Sequence, residues 1–190
     1  MDDQRRLLLI DGHSMAYRAF FALPKENFQT GTGQYTNAVY GFTSMLINLL
    51  RDEKPTHVAV AFDLSRQTFR AEVYPEYKAN RSASPDEFKG QVSLIQDVLA
   101  QLRIPVITKE NYEADDVMGA LTARETVDPV EVVSGDRDMF QVVRYKPTPA
   151  TVWYVGRGWN KVEAIGPAEL AAKYDLPTED TGPRYADMAV

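Results

Sequence analysis

Hydrophobic and polar positions along this chain alternate between two periods. Residues 7–10 (LLLI) form a short apolar run, and residues 57–62 (HVAVAF) and 130–134 (VEVVS) resemble it. Runs of this length without helical periodicity predict strands buried in a parallel sheet. Residues 105–108 and 151–155 predict two more. Between them the spacing becomes helical. Val39, Phe42, Met45, Leu46, Leu49 and Leu50 line one face of a predicted helix. Thr36 stands at its N-cap position, and Lys54-Pro55 ends it. Phe88, Val92, Ile95, Leu99 and Leu102 line another, opened by Ser84-Pro85-Asp86-Glu87. Further helices are predicted over residues 15–23, 114–123 and 166–174. Strands alternating with helices predict an α/β fold, with a mainly parallel central sheet flanked by helices. Residues 29–35 (QTGTGQY) read as a glycine-rich loop opening the Thr36 helix, where backbone N–H groups could hold a phosphate. Residues 64–83 are charged, aromatic and aperiodic.

Composition narrows the chemistry. The chain has 190 residues and no cysteine, which removes disulfides, thiolate metal sites and a cysteine nucleophile. The two histidines are too few for a histidine-based metal site. Any bound metal is expected to be held by oxygen, which points to Mg2+ or Mn2+. The apolar run near the N-terminus is too short for a signal peptide, and no segment approaches a membrane span. A soluble, cytoplasmic, monomeric protein that does not engage membranes is expected. The net charge of −6 argues against a nonspecific nucleic-acid coat but not against a local basic surface.

The carboxylates carry the strongest signal. Asp11 follows the first predicted strand and Asp63 the second. Glu113, Asp115 and Asp116 (YEADD) follow the third, and Asp136 and Asp138 (SGDRD) the fourth. Sites in open parallel sheets form at the carboxyl ends of strands, so these seven acids are expected along one edge. Any single one of them reads as a helix cap or a partner of a helix dipole. Together they would repel and raise one another's pKa, and divalent cations are the usual compensation. Glu113 and Asp116 should share a helix face. Asp136 and Asp138, two apart, should point the same way in extended backbone. Such a patch suits two metals roughly 4 Å apart acting on a phosphodiester.

Residues 66–81 (RQTFRAEVYPEYKANR) interleave Arg66, Arg70, Lys78 and Arg81 with Phe69, Tyr74 and Tyr77. Cations meet phosphates and rings stack on bases, so the mixture suits a nucleic-acid strand. Read by itself, it is equally a solvated loop anchored by tyrosines. Arg18 follows Asp11 within reach of a phosphate.

LIDGHSMAYRAFFAL, YKANR, YEADD and SGDRDMFQ, in that order, resemble the bacterial 5′-nucleases, the flap endonuclease family that includes the 5′→3′ exonuclease domain of DNA polymerase I. The resemblance runs from about residue 7 to at least 143. It implies a single nuclease core over residues 1–190, of the PIN-like α/β type, with a helical arch over the active site. It also implies two-metal hydrolysis of DNA 5′ flaps, 5′ ends, overhangs and nicks, extending to RNA primer strands, in replication and repair. A linked or separate DNA polymerase is an implied partner. By position, Asp11, Asp63, Glu113, Asp115, Asp116, Asp136 and Asp138 match the family's metal acids, with Asp136 also assigned to catalysis. Lys78 and Arg81 match the arch bases at the scissile phosphate. Tyr77 matches a stacking ring, and Arg18 a phosphate contact. Arg66 and Arg70 join them as nucleic-acid contacts. The family continues past residues 185–190 into a further acidic motif and a helix–turn–helix that grips duplex DNA and binds K+. Neither is matched here, so K+ is expected only where that region is present. Weak binding at the second metal site and reduced activity are expected without it.

Two other readings compete. A PIN-like ribonuclease or phosphatase shares the acid cluster, but a small-molecule phosphatase needs no basic, aromatic segment. A junction-binding module without catalysis would keep only the binding surface.

Overall fold

The computed structural model describes residues 5–65, 68–78, 84–156 and 161–189. Among these, six strands form one sheet: β1 (Leu7–Asp11), β2 (His57–Ala61), β3 (Val106–Ile107), β4 (Val130–Ser134), β5 (Ala150–Tyr154) and β6 (Glu163–Ile165). The helices are α1 (Gly12–Ala22), α2 (Asn37–Glu53), α3 (Phe69–Val73), α4 (Asp86–Gln101), α5 (Ala114–Arg124), α6 (Pro167–Tyr174) and α7 (Thr181–Ala189). The sheet order is β3-β2-β1-β4-β5-β6. All neighbours run parallel except β5 and β6, an antiparallel edge the sequence did not announce. β1 is central: Leu7 to Asp11 pair with His57 to Ala61, and Leu7 to Ile10 with Val130 to Val133.

The strand residues alternate between two cores, as the two-residue pleat requires. Leu8, Ile10, Val60, Phe62 and Val133 face α1, α2 and α4, where Met15, Phe42, Leu46, Ile95 and Leu99 are buried. Leu9, Ala59, Ala61, Val130 and Val132 face the other layer, built from Met118, Phe140, Leu170 and Tyr185. Both faces are therefore covered, which explains the uninterrupted apolar strands. Among the described residues, no helix is long and apolar enough to cross a membrane.

Two local expectations are corrected. Thr36 occupies the N-cap position of α2, but its hydroxyl donates to the Phe28 carbonyl instead of capping. The capping acceptor is Gln91 of α4, whose Oε1 receives the N–H groups of Ala38 and Val39 at 2.7 and 3.3 Å. Those N–H groups are thus not free for a phosphate. The Gln91 amide nitrogen donates to Asn37 Oδ1, and Asn37 donates to the carbonyls of Phe20 and Leu23. Both amides are fully buried, so this one network joins α1, α2 and α4. The second correction concerns Asp136 and Asp138. They do not share an extended segment, because residues Arg137–Val142 wind into a 3-10 turn that Asp136 caps by accepting the Asp138 N–H.

Replacing Gln91 with leucine keeps the volume but strands buried N–H and C=O partners. The expected loss is roughly 2–4 kcal/mol of folding stability. A urea-denaturation midpoint equal to that of the unaltered protein would show that the network does not hold the three helices.

Candidate active site

The sheet order reverses direction at β1, so α1 and the turn after β4 leave toward different layers and open a crevice between the two strand ends. Asp11 and Asp136 stand on its two sides. Asp11 ends β1 and is buried. Its Oδ1 accepts the Ser14 N–H at 2.9 Å and its Oδ2 accepts the Ser134 hydroxyl at 2.7 Å. The Ser134 oxygen in turn accepts the Asp136 N–H at 3.0 Å. One serine therefore couples the acids of β1 and β4. Ser14 and Ser134 carried no role in the sequence reading. Their adjacency to strand-end acids was the available signal.

Two residues beyond β2, Asp63 accepts the N–H of Ala114 at 2.7 Å and so binds the N-terminus of α5. Asp115 lies in the first turn of the same helix. Burial pushes the Asp115 carboxyl up to about 7, and the charges of Asp11, Asp136 and Asp63 add to the rise. Burial likewise pushes Asp11 up to about 6, against the opposing hydrogen bonds from Ser14 and Ser134 and with help from Asp63 and Asp136. The structure thus brings Asp11, Asp63, Asp115 and Asp136 within electrostatic reach of one another.

The remaining three acids are arranged differently. Glu113 is the N-cap of α5 and Asp116, three residues on, accepts its N–H at 2.9 Å, a capping contact where the spacing had predicted only a shared helix face. Each also has a cation. Lys78 Nζ lies 2.8 Å from both Glu113 oxygens, and Arg70 makes a bidentate pair with Asp116 at 2.6 and 2.7 Å. The Arg70 hydrogen bonds hold the Asp116 carboxyl below its ordinary range. Asp138 is exposed, lines the cleft and lies within electrostatic reach of Tyr185. Tyr77 bonds Glu113 through its hydroxyl at 3.3 Å, and Lys78 lies 5.0 Å from its ring centre. A cleft of about 950 Å³ opens beside these groups, lined by Arg70, Lys78, Glu113, Asp115 and Asp138 at one end and by Arg144 and Lys146 at the other.

Arg18, expected to reach a phosphate, donates to two backbone carbonyls, Gly135 at 2.7 Å and Gly156 at 3.0 Å. Arg66 and Arg81 lie outside the described residues. So does part of the expected arch, of which the described portion is the short α3, the turn through Lys78 and the start of α4.

Among the described residues, no three acids are gathered tightly enough to hold an ion as they stand. The donor chemistry nevertheless fits a hard divalent cation. The four converging groups are all carboxylates; burial, and after it the charges of the neighbouring acids, raises two of their pKa values toward neutrality.

The sequence matches the family described as "5'-3' exonuclease, N-terminal resolvase-like domain" over residues 6–175. It is 50% identical to DNA polymerase I of Mycobacterium tuberculosis over 185 residues, 96% of this chain and 20% of that protein. It is 41% identical to a protein named 5'-3' exonuclease from the same organism over 197 residues, covering 97% of this chain and 62% of that one. The chain spans about a fifth of the length of the DNA polymerases it matches. Among solved structures, the bacteriophage T5 D15 protein co-crystallized with metal ions shares the fold, with a TM-score of 0.66 at 20% identity over 90% of this chain and 61% of that one. Flap endonuclease-1 from Methanococcus jannaschii does so with a TM-score of 0.59 at 16% identity, covering 92% of this chain and 61% of that one. A family match over most of the length, joined to relatives of this identity, means that the chain belongs to the 5′-3′ exonuclease N-terminal resolvase-like domain family.

Proposed function

We propose that this chain is the catalytic core of a divalent-metal-dependent nuclease that hydrolyses DNA phosphodiesters at 5′ flaps, 5′ ends and nicks during replication and repair. The observation that supports it is the convergence of Asp11, Asp63, Asp115 and Asp136 at the reversal point of the sheet, beside a cleft carrying Arg70 and Lys78. Family membership supplies the reaction class. The named polymerase and exonuclease relatives support a DNA substrate and a polymerase partner.

In this reading the four inner carboxylates would hold the ions, Mg2+ or Mn2+, with Glu113, Asp116 and Asp138 within the outer reach of the site. Bound there, such ions lower the pKa of an attacking water and neutralise charge on the phosphodiester. The chain's own residues do the rest. Ser134 fixes the orientation of Asp11 and the backbone of Asp136. Lys78 and Arg70 face the cleft from the substrate side, where cations stabilise a phosphate gaining charge. Tyr77, already against Lys78, offers a ring to a displaced base. Substrate phosphates would draw Lys78 off Glu113, exchanging one anionic partner for another.

Asp136→Asn keeps the cap and loses the charge. It should slow 5′-flap cleavage by more than about 100-fold, beyond the usual effect of an outer-sphere partner, with flap binding retained. The assay is single-turnover cleavage with Mn2+ and excess protein, run beside an unstructured RNA. Cleavage at the rate of the unaltered protein removes Asp136 from the site, and equal cutting of both substrates favours a PIN-like ribonuclease.

Lys78→Ala should slow the chemical step about 10²–10³-fold at saturating protein, the usual loss for one donor to developing charge. An unchanged single-turnover rate would confine Lys78 to binding.

Burial of Asp11 and Asp115, with charge crowding adding to it, also predicts a pH dependence. Asp11 and Asp115 bind protons more tightly folded than unfolded, so their contribution to stability is complete below the ordinary aspartate pKa and disappears as pH rises through about 6 and 7. With chelator present, the melting temperature should fall between pH 4 and 7. Asp115→Asn should flatten that slope and raise the pH 7 melting temperature by roughly 2–4 °C per kcal/mol of repulsion relieved. A slope unaltered by Asp115→Asn would mean that the Asp115 site does not raise its carboxyl pKa.

A further inference from the structure

We propose that Arg18 is a positioning residue for the metal-site acids, clasping the turns that leave β4 and β5 so that Asp136 is held opposite Asp11. This rests on the metal-site reading above. Ser134 and Tyr154, the last residues of β4 and β5, are paired neighbours. Gly135 and Gly156 lie in the turns just beyond, where the sheet no longer constrains the backbone. The Arg18 fork reaches both, with one terminal nitrogen on each carbonyl at 2.7 and 3.0 Å. A planar guanidinium can span two acceptors in this way, and a lysine ammonium on its flexible stem does not reproduce the geometry.

The same turn is held from its other side. The Gly135 N–H donates to the Ser14 hydroxyl at 3.3 Å, and the Ser14 N–H donates to Asp11. α1 therefore grips Gly135 by both its N–H and its C=O, with Ser14 and Arg18 one helical turn apart. Asp136 is the next residue, and its N–H is fixed by Ser134, which also bonds Asp11. Movement of Gly135 would carry both acids with it.

The approach is so close that a side chain at position 135 fits only if Arg18 leaves its place. A Cβ built on Gly135 would collide with the Arg18 guanidinium. Gly135 has no positive φ, so its requirement is space and not backbone conformation. The Arg18 Nε is enclosed and has no hydrogen-bond partner among the described residues. A phosphate contact would need the terminal nitrogens that already donate to the Gly135 and Gly156 carbonyls.

The test measures Mn2+ binding to the free protein by titration calorimetry, beside its affinity for 5′-flap DNA in chelator and its melting temperature. Arg18→Lys keeps the charge. Gly135→Ala attacks the same clasp from the loop side with the arginine intact, so an unfolded Arg18→Lys leaves the test standing. Each should weaken Mn2+ binding by about 10- to 100-fold, the range for groups that orient a metal's ligands, with flap affinity unchanged. The double variant should be no worse than either single one, because both remove one interaction. Normal Mn2+ binding with lost flap affinity in Arg18→Lys would overturn the clasp in favour of a phosphate contact. Additive losses in the double variant would overturn it too. Asp136→Asn is the control: if it also leaves Mn2+ binding intact, the metal-site reading fails and the clasp falls with it.

Discussion

Four carboxyl groups are held together at the end of β1 and its neighbours, against burial and their own repulsion. Asp11 is the deepest of them, and burial is the main cause of its raised pKa. Such a group persists only where the surrounding fold overrides its preference for water. Here the override is the parallel sheet itself. β1 is hydrogen-bonded on both sides and covered on both faces, so its last residue has no route to solvent other than the crevice. The Ser14 and Ser134 hydrogen bonds oppose the effect of burial without cancelling it.

The two cores divide the work of holding this arrangement. On one side, the Gln91–Asn37 network locks α4 against α1 and α2, and Phe88 at the start of α4 packs its ring against His13, Tyr17 and Phe20 of α1. The helix that follows the arch segment is thereby referenced to the helix that begins at Asp11. On the other side, α7 lies on the turn that follows Asp136. Its Gly182 approaches the Gln141 and Val143 carbonyls so closely that a Cβ would overlap them. Tyr185 of α7 packs against Phe140 of the same turn. The acid-bearing turn is thus fixed by backbone proximity from α7 and by the side chains of α1.

Much of this was legible in the sequence, and the reason is physical. Strands buried on both faces must be apolar along their whole length, so LLLI, HVAVAF and VEVVS announced the sheet, and the acids directly after them announced the edge where carboxylates gather. Glu113 and Asp116 were legible as a pair because helical spacing is rigid. What escaped were features set by tertiary approach. Gln91 looked like one more polar residue on a helix, yet it caps a helix distant in sequence, because a side-chain amide can replace a backbone partner wherever packing delivers it. Asp136 and Asp138 were misjudged because period two applies only to extended backbone, and the chain coils immediately after β4. Arg18 was read by its charge, while its surroundings are two carbonyls. β6 is three residues long and pairs antiparallel, too short for any periodicity to register.

Opposite charges sort the seven acids into groups that do not respond alike to a polyanion. Glu113 and Asp116 are neutralised by Lys78 and Arg70, which belong to α3 and the turn that follows it. Asp11, Asp63, Asp115 and Asp136 share one crevice, where burial, and after it the charge of the neighbouring acids, raises Asp11 and Asp115. A phosphate entering the cleft competes for the cations of the first group and is repelled by the second unless positive charge is supplied there. Both pairs remain partly exposed beside the cleft. They are therefore readily exchanged, whereas the buried Asp11 carboxylate, fixed by two serines, is not. The outer pairs behave as an exchangeable layer and the inner acids as a fixed one. On the proposed function, this difference sets where substrate binding ends and chemistry begins: the cations follow the phosphate, and the carboxylates stay where the sheet holds them.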